Sequence, residues 1–296
     1  MTAFRVTERS IATNVLVGLQ GNLDRMGSLQ EQLSSGKQFA KPSDSPAGAT
    51  AAMQYRGEMA RAQQHGRNAS DGLGWLGTVD TTLSNVMDQV QRTRQLALEG
   101  MSNGAGGSQG AREAIAAEVD QIRQTSMGLA NTKYGDRPVF GGTTASSAAY
   151  DAAGNYLGDT GAVQRTVGDN VKVQVGVPGT DAFGTGSTQL FTVMADISND
   201  LRTNPSALRG DLDRLDTATT TLKFVQSTVG ARYNQLTQMQ QLASDRTDAL
   251  TAQLSNVEDI DLPKTITEMQ LQQTAYQAAL SAGAKVVQPS LVDFLR

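Results

Sequence analysis

The sequence has no cysteine, one histidine and no apolar run near the roughly 18 residues that a membrane-spanning helix needs. Each absence removes a class of function. Without thiols there is no disulfide framework, no thiol nucleophile and no thiolate metal site. The single histidine, His65, lies in the polar stretch ARAQQHGRNAS and reads as an exposed helix residue. Alone it builds neither a catalytic triad nor a multi-histidine metal centre. The opening MTAFRVTERSIATNV lacks the continuous apolar stretch of a Sec-type signal, so neither Sec secretion nor membrane anchoring is expected. Aromatic residues make up only 5%, and 25 basic against 29 acidic side chains give a formal net charge of -4. No broad basic face follows from that balance, which disfavours nucleic acid and anionic lipid as partners.

What the 296 residues do contain is polar, helix-forming and periodic. Near one end Ala12, Leu16, Leu19, Leu23, Met26, Gln30 and Leu33 recur at alternating steps of four and three, a coiled-coil seam interrupted by one glutamine. Near the other end Leu262, Ile266, Met269, Gln273, Tyr276, Leu280, Gly283 and Val287 repeat the pattern, again with one glutamine. The stripes predict helices over 10–34 and 264–289, each too narrowly apolar to be stable alone. Pairing them with each other, and then with neighbouring copies, is the simplest way to bury both. Gln30 and Gln273 are candidates to set the register of such a pair; the bland alternative is a solvated edge.

More seam lies between these ends. Leu76, Val79, Leu83, Val86, Val90 and Thr93 mark one helix, and Ile115, Val119, Ile122 and Leu129 another, joined by the glycine-rich GMSNGAGGSQG. Residues 212–254 predict a third, along Leu215, Leu222, Val229, Tyr233, Leu236, Ala243, Leu250 and Leu254. From 141 to 190 the helical period vanishes and ten glycines appear. There VKVQVGV alternates with period two after a GDN turn at 168–170, and QLFTVM at 189–194 reads as a further strand. The expected fold is mainly α: a long antiparallel helical bundle or coiled coil built from both chain ends, with a small β-rich domain inserted in the middle. The expected division is a terminal coiled-coil domain (1–40 and 256–296), a helical rod (41–140 and 196–255) and a β-rich outer domain (141–195).

Five motifs invite a chemical reading and do not sustain it. GLGWLG, residues 72–77, fits the dinucleotide pattern, but the preceding MARAQQHGRNASD is polar and helical where a buried strand is required. The glycines read instead as sites of close helix approach. The carboxylate groups DLDRLD (211–216) and EDID (258–261) read as solvated helix faces, the first favoured by the helix dipole. Asn68-Ala69-Ser70 matches a glycosylation sequon of the length that occurs by chance. SSGKQFAKPSDSPAG, residues 34–48, has a Gly-Lys but not the rest of a phosphate loop. Pro42 and Pro46 forbid an uninterrupted helix, and Ser45 with Pro46 forms a natural helix start. The stretch is a joint, with Gly36, Pro42, Ser43, Asp44 and Pro46 as hinge residues.

These features resemble the flagellin family, and within it the hook-associated junction subunits. LQGNLDRMGSLQEQLSSGKQFAKPSDSPAGA is similar to the family's N-terminal signature, NASDGLGWLGTVDTTLSNVMDQVQRTRQLALEGMSNG to its long helix, NTKYGDRPVFGGT to the exit into the β region, and LQQTAYQAALSAGAKVVQPSLVDFLR to its C-terminal helix. P-S-D-S-P and the ending SLVDFLR resemble the junction branch more than filament flagellins, which remain the alternative. The resemblance implies a structural subunit and no enzyme, with no cofactor or metal. It implies export by the flagellar type III apparatus with a chaperone, location in the extracellular flagellum, ends disordered before assembly, and a homo-oligomeric ring between the first hook-associated protein and flagellin. The assembly interface is expected along Leu16, Leu19, Leu23, Met26 and Leu33 with Ile266, Met269, Tyr276, Leu280 and Val287.

Overall fold

The computed structural model describes residues 3–102, 108–144 and 146–287, without the side chains at 3–9, 11, 12 and 285–287. The elements in order are α1 (Ala3–Ser35), α2 (Pro46–Ser102), α3 (Gln109–Ala130), β1 (Lys133–Tyr134), β2 (Arg137–Pro138), β3 (Gln164–Gly168), β4 (Val171–Gln174), α4 (Gly179–Phe183), a 3-10 turn at Gly186–Thr188, α5 (Leu190–Thr203), α6 (Leu208–Glu258) and α7 (Leu262–Val287). The fold is mainly α, with helices from the two chain ends paired and two small two-stranded sheets in the middle. Within the linker GMSNGAGGSQG, residues 103–107 lie outside the described residues. Contacts divide the chain into two units, residues 1–60 with 247–296 and residues 61–246.

In the second unit α2 and α6 run antiparallel. Gln226 Nε2 donates to Asp80 Oδ1 at 3.1 Å and Ser84 Oγ at 3.0 Å, and further along Arg94 Nε meets Asp216 Oδ1 at 2.8 Å. The seam residues Leu76, Val79, Leu83 and Val86 of α2 and Leu215, Leu222 and Leu236 of α6 are fully enclosed, because their steps of three and four place them on one helix face. Tyr233, drawn into the same stripe by the sequence, is 42% exposed. GLGWLG falls in mid-helix, so no phosphate could reach a helix N-terminus there. A side chain at Gly72 would meet Leu236 Cδ1 at 2.8 Å and one at Gly74 would meet Tyr134 Oη at 2.5 Å, the close approach anticipated, whereas Gly77 faces open space.

QLFTVM is helix, not strand. Leu190, Val193, Met194, Ile197 and Leu201 are all enclosed at helical spacing on α5, a period visible only when the window extends past Met194. The first four residues of VKVQVGV do form a strand: β4 pairs antiparallel with β3, and Asn170 makes the turn at a φ of 64°. The hairpin is fastened to α2 by Asn68 Nδ2 to Thr166 O at 2.7 Å, by Arg165 to Asp71 at 2.6 Å, and by Asp169 Oδ1 3.5 Å from His65 Nε2. His65 is therefore not an exposed residue: the hairpin covers it to 20% exposure. The same fastening commits the amide of Asn68 and buries Ala69, which leaves the sequon without a free acceptor. Trp75 is enclosed beside Tyr134, ring centres 5.6 Å apart, with the Arg165 guanidinium 5.9 Å from the indole.

Few as they are, the aromatics are concentrated. Phe140, Tyr150, Phe183 and Phe191 form a buried cluster in which Phe140 and Phe183 meet edge-on at 4.9 Å and Tyr150 and Phe191 at 5.0 Å. Burial pushes the Tyr150 phenol upward from its ordinary value. Truncation of Phe183 to alanine is expected to cost about 3–5 kcal/mol in urea unfolding. Phe224→Ala, at a site 73% exposed, is expected to stay within about 0.5 kcal/mol of the parent.

Candidate assembly surface and its joint

In the first unit α1 and α7 run antiparallel: Lys37 lies beside Asp259, Gln272 bonds Asn22, and Gly283 sits against Val15. The seam positions of α1, all half-buried, are Val15, Leu19, Asn22, Met26, Leu29 and Leu33, with Gly21 and Gln32 half-buried beside them; those of α7 are Met269, Gln272, Tyr276 and Ala279, flanked by buried Thr265 and Gly283. Both sets step by four and three, so each helix has a true heptad seam.

The seam differs from the one read in the sequence in a specific way. Leu19, Met26, Leu33, Met269 and Tyr276 do face the partner helix. Leu16 (60% exposed), Leu23 (43%), Ile266 (45%) and Leu280 (44%) do not; each follows a seam residue by one position and stays in solvent. The side chains of Ala12 and Val287 lie outside the described residues. Because the helices are antiparallel, residues one step after the seam on each emerge on the same side of the pair. Leu16, Leu23, Ile266 and Leu280 therefore belong to one outer stripe, and exposed Gln30 and Gln273 lie on it too. Val17, at 63%, and Leu271, at 70%, add apolar surface elsewhere on the pair. The glutamines are not in the seam. Its described amide members are Asn22 and Gln272, each set between apolar neighbours three and four residues away (Leu19 and Met26, Met269 and Tyr276), a pattern legible in the sequence once the seam is rotated by one residue.

The joint begins at Gly36, which ends α1 at a φ of 70° that other residues avoid, its N–H donating to Gln32 O at 2.8 Å. Pro42, Ser43 and Asp44 form an exposed turn, where Asp44 accepts from Lys41 N at 3.0 Å and from Ser43 Oγ at 3.3 Å. Those donors hold its carboxyl below the usual range. Ser45 Oγ accepts from Gly48 N at 3.2 Å and Pro46 opens α2, the predicted helix start.

What the sequence reading missed is the anchor of this joint. Glu258, taken as solvated, is 3% exposed between Arg56 Nη2 at 2.7 Å and Lys37 Nζ at 3.2 Å. Lys37 also contacts Asp259 Oδ1 at 2.7 Å, and the two residues form a main-chain bridge closed by Ile260 N to Gly36 O at 3.1 Å. The hydrogen bond to Asp259 raises the Lys37 ammonium above its ordinary value; the same bond, with one from Ser255, holds Asp259 below its own. Asp211, in the other carboxylate group, is likewise buried: it pairs with Arg214, which reaches Asp196 Oδ2 at 2.9 Å. Among the described residues no group of three or more histidine, cysteine or acidic side chains could hold a metal ion.

The comparisons with known proteins agree with this architecture. The bacterial flagellin N-terminal helical region matches residues 6–154 and the C-terminal helical region residues 212–295. The chain belongs to the flagellin family, structural proteins of the bacterial flagellum. It is 27% identical to flagellar hook-associated protein 3 of Escherichia coli over 278 residues, 85% of this chain and 87% of that one. It is 23% identical to the flagellin of Bacillus subtilis over 306 residues, 99% and 100% of the two chains. Among solved structures, a putative flagellar hook-associated protein from Vibrio parahaemolyticus superposes with a TM-score of 0.67 at 16% identity, covering 73% of this chain and 100% of that one.

The anchor gives a pH window and a mutational test. Asp259, held low, contributes stability above the ordinary carboxylate range that is lost as pH falls through its lowered value; Lys37, held high, contributes below the ordinary lysine range and is lost as pH rises through its raised value. Removing both cations, K37M/R56M, strands a buried carboxylate and is expected to lower stability by about 3–5 kcal/mol at neutral pH. Glu258→Gln leaves only cations with access to water and is expected to cost less; denaturant unfolding of both variants decides the order.

Proposed function

We propose that this chain is the subunit that joins hook to filament in the bacterial flagellum, assembling through its terminal helices. The observation that carries the proposal is the outer stripe of Leu16, Leu23, Ile266 and Leu280, apolar surface that the chain's own helix pair leaves in water. A side chain of this kind is stabilised by about 1.5–3 kcal/mol when fully buried, so contact with further copies supplies a large driving force. On this reading the terminal pairs form the inner core, the helices of 41–140 and 196–255 an outer rod layer, and residues 141–195 face solvent. The joint at Gly36, Pro42, Ser43, Asp44 and Pro46 lets core and rod take different directions. Partners are further copies, the first hook-associated protein on one side and flagellin on the other; an export chaperone and the type III apparatus deliver the chain.

Likeness to hook-associated protein 3 supports the junction. Near full-length likeness to a Bacillus flagellin favours a second reading, the filament subunit itself. Deletion separates them: a junction subunit leaves hooks bare and flagellin lost to the medium, and normal filaments in the mutant would overturn the proposal. Purified protein added to hook fragments should form a short cap, whereas long self-propagating filaments would identify a flagellin.

The stripe itself is tested by charge. Leu16→Glu and Leu280→Glu are expected to leave unfolding free energy within about 0.5 kcal/mol. Incorporation into hook-basal structures should fall by about tenfold or more. Leu19→Ala, in the seam, should instead destabilise the terminal pair, which hydrogen exchange of α1 and α7 would report.

A further inference from the structure

Among the described residues the α1–α7 seam holds one pair of side-chain amides bonded across the two helices. Gln272 Nε2 donates to Asn22 Oδ1 at 3.0 Å and lies 3.4 Å from Asn22 O; Arg25 Nη2 donates to the same Oδ1 at 2.9 Å. Both acceptor positions of that oxygen are thus filled, one across the helix pair and one from within α1. The rest of the seam is degenerate. Leu19, Met26 and Leu33 on one side and Met269 and Tyr276 on the other are apolar residues that tolerate one another at any heptad offset. A slip of seven residues would set Gln272 against Val15 or Leu29 and Asn22 against Thr265 or Ala279, leaving amide groups without each other.

A second feature selects the same alignment. A side-chain atom at Gly283 would lie 2.9 Å from Val15 Cγ1, so glycine is what lets the helices close at that level. After a slip of seven residues in one direction Tyr276 would occupy that place. The alignment has a consequence on the outer stripe: residue numbers of α1 and α7 at one level sum to about the value given by Lys37 with Asp259, so Leu16 accompanies Leu280, Leu23 accompanies Gln273, and Gln30 accompanies Ile266. Every level then offers at least one apolar residue. The charged anchor at Lys37 lies fifteen residues from Asn22, roughly 22 Å along α1, too far to keep the distal half in phase by itself.

We infer that Asn22 and Gln272 are the register determinant of the terminal helix pair, positioning residues that fix which side chains meet on the outer stripe. The inference rests on the reading that this stripe is the assembly element. A lone polar pair in an apolar seam has this effect at some cost in stability.

The cysteine-free chain allows a direct test. V15C/G283C reports the observed register and V15C/Y276C a slip of one heptad, each read as an intramolecular disulfide after mild oxidation. In an otherwise parental chain only V15C/G283C should close. With N22L/Q272L its yield should fall several-fold while V15C/Y276C begins to close and thermal stability stays equal or rises, a combination that a merely structural contact does not produce. The exchanged pair N22Q/Q272N should restore the observed register. Unchanged disulfide yields in N22L/Q272L, or failure of V15C/G283C to close in the parental background, would overturn the inference. The yields are measured on purified chain and on recovered flagellar particles, so loss of assembly by a variant still leaves a register to read. Failure of the unmodified chain to enter particles would count against the junction and not against the register pair.

Discussion

Two antiparallel helices can cover only one flank of a wide apolar stripe, and the first unit is organised around that limit. α1 and α7 each carry apolar residues at two adjacent heptad positions. Contact between them hides Leu19, Met26 and Leu33 against Met269 and Tyr276, and geometry then leaves Leu16, Leu23, Ile266 and Leu280 outside. No repacking of the pair removes the excess, because rotating either helix to hide one flank exposes the other. The surplus surface is a property of the pair, and on the proposed reading it is what neighbouring copies consume.

The joint answers a different demand. A chain that must turn between α1 and α2 needs a segment free of helix, and such a segment leaves main-chain groups unpaired. Gly36 and Gln38 solve this by pairing with the stretch that links α6 to α7: Ile260 N donates to Gly36 O and Gln38 N to Glu258 O. Both breaks between helices in this unit therefore satisfy each other. The buried Glu258 between Lys37 and Arg56 then ties the paired breaks to α2.

Much of this was legible in the residues. Steps of three and four located every long helix, and Ser45-Pro46 located the start of α2, because these signals depend on neighbours along the chain. The seam was read one residue to the side: periodicity defines a stripe but not which of its flanks meets the partner, a choice made by long-range contacts such as Gly283 with Val15. For the same reason Glu258 and Asp211 looked solvated. Their cations stand far away in sequence or on a face that cannot be assigned without the fold. QLFTVM reads as a strand only in a short window, since its four apolar residues fit either period until Ile197 and Leu201 decide for helix. The cover over His65 comes from a hairpin a hundred residues later, which its polar neighbours along the chain do not announce.

The distribution of aromatic residues has an optical consequence. Trp75, the sole tryptophan, is enclosed in the second unit against Tyr134, whereas the described aromatics of the first are Phe39, Tyr55 and Tyr276. Indole emission therefore registers melting of residues 61–246 and is blind to the paired ends, while helical circular dichroism sums over both. The difference between the two signals isolates the terminal helices without any label, so their folding can be followed in the unmodified molecule.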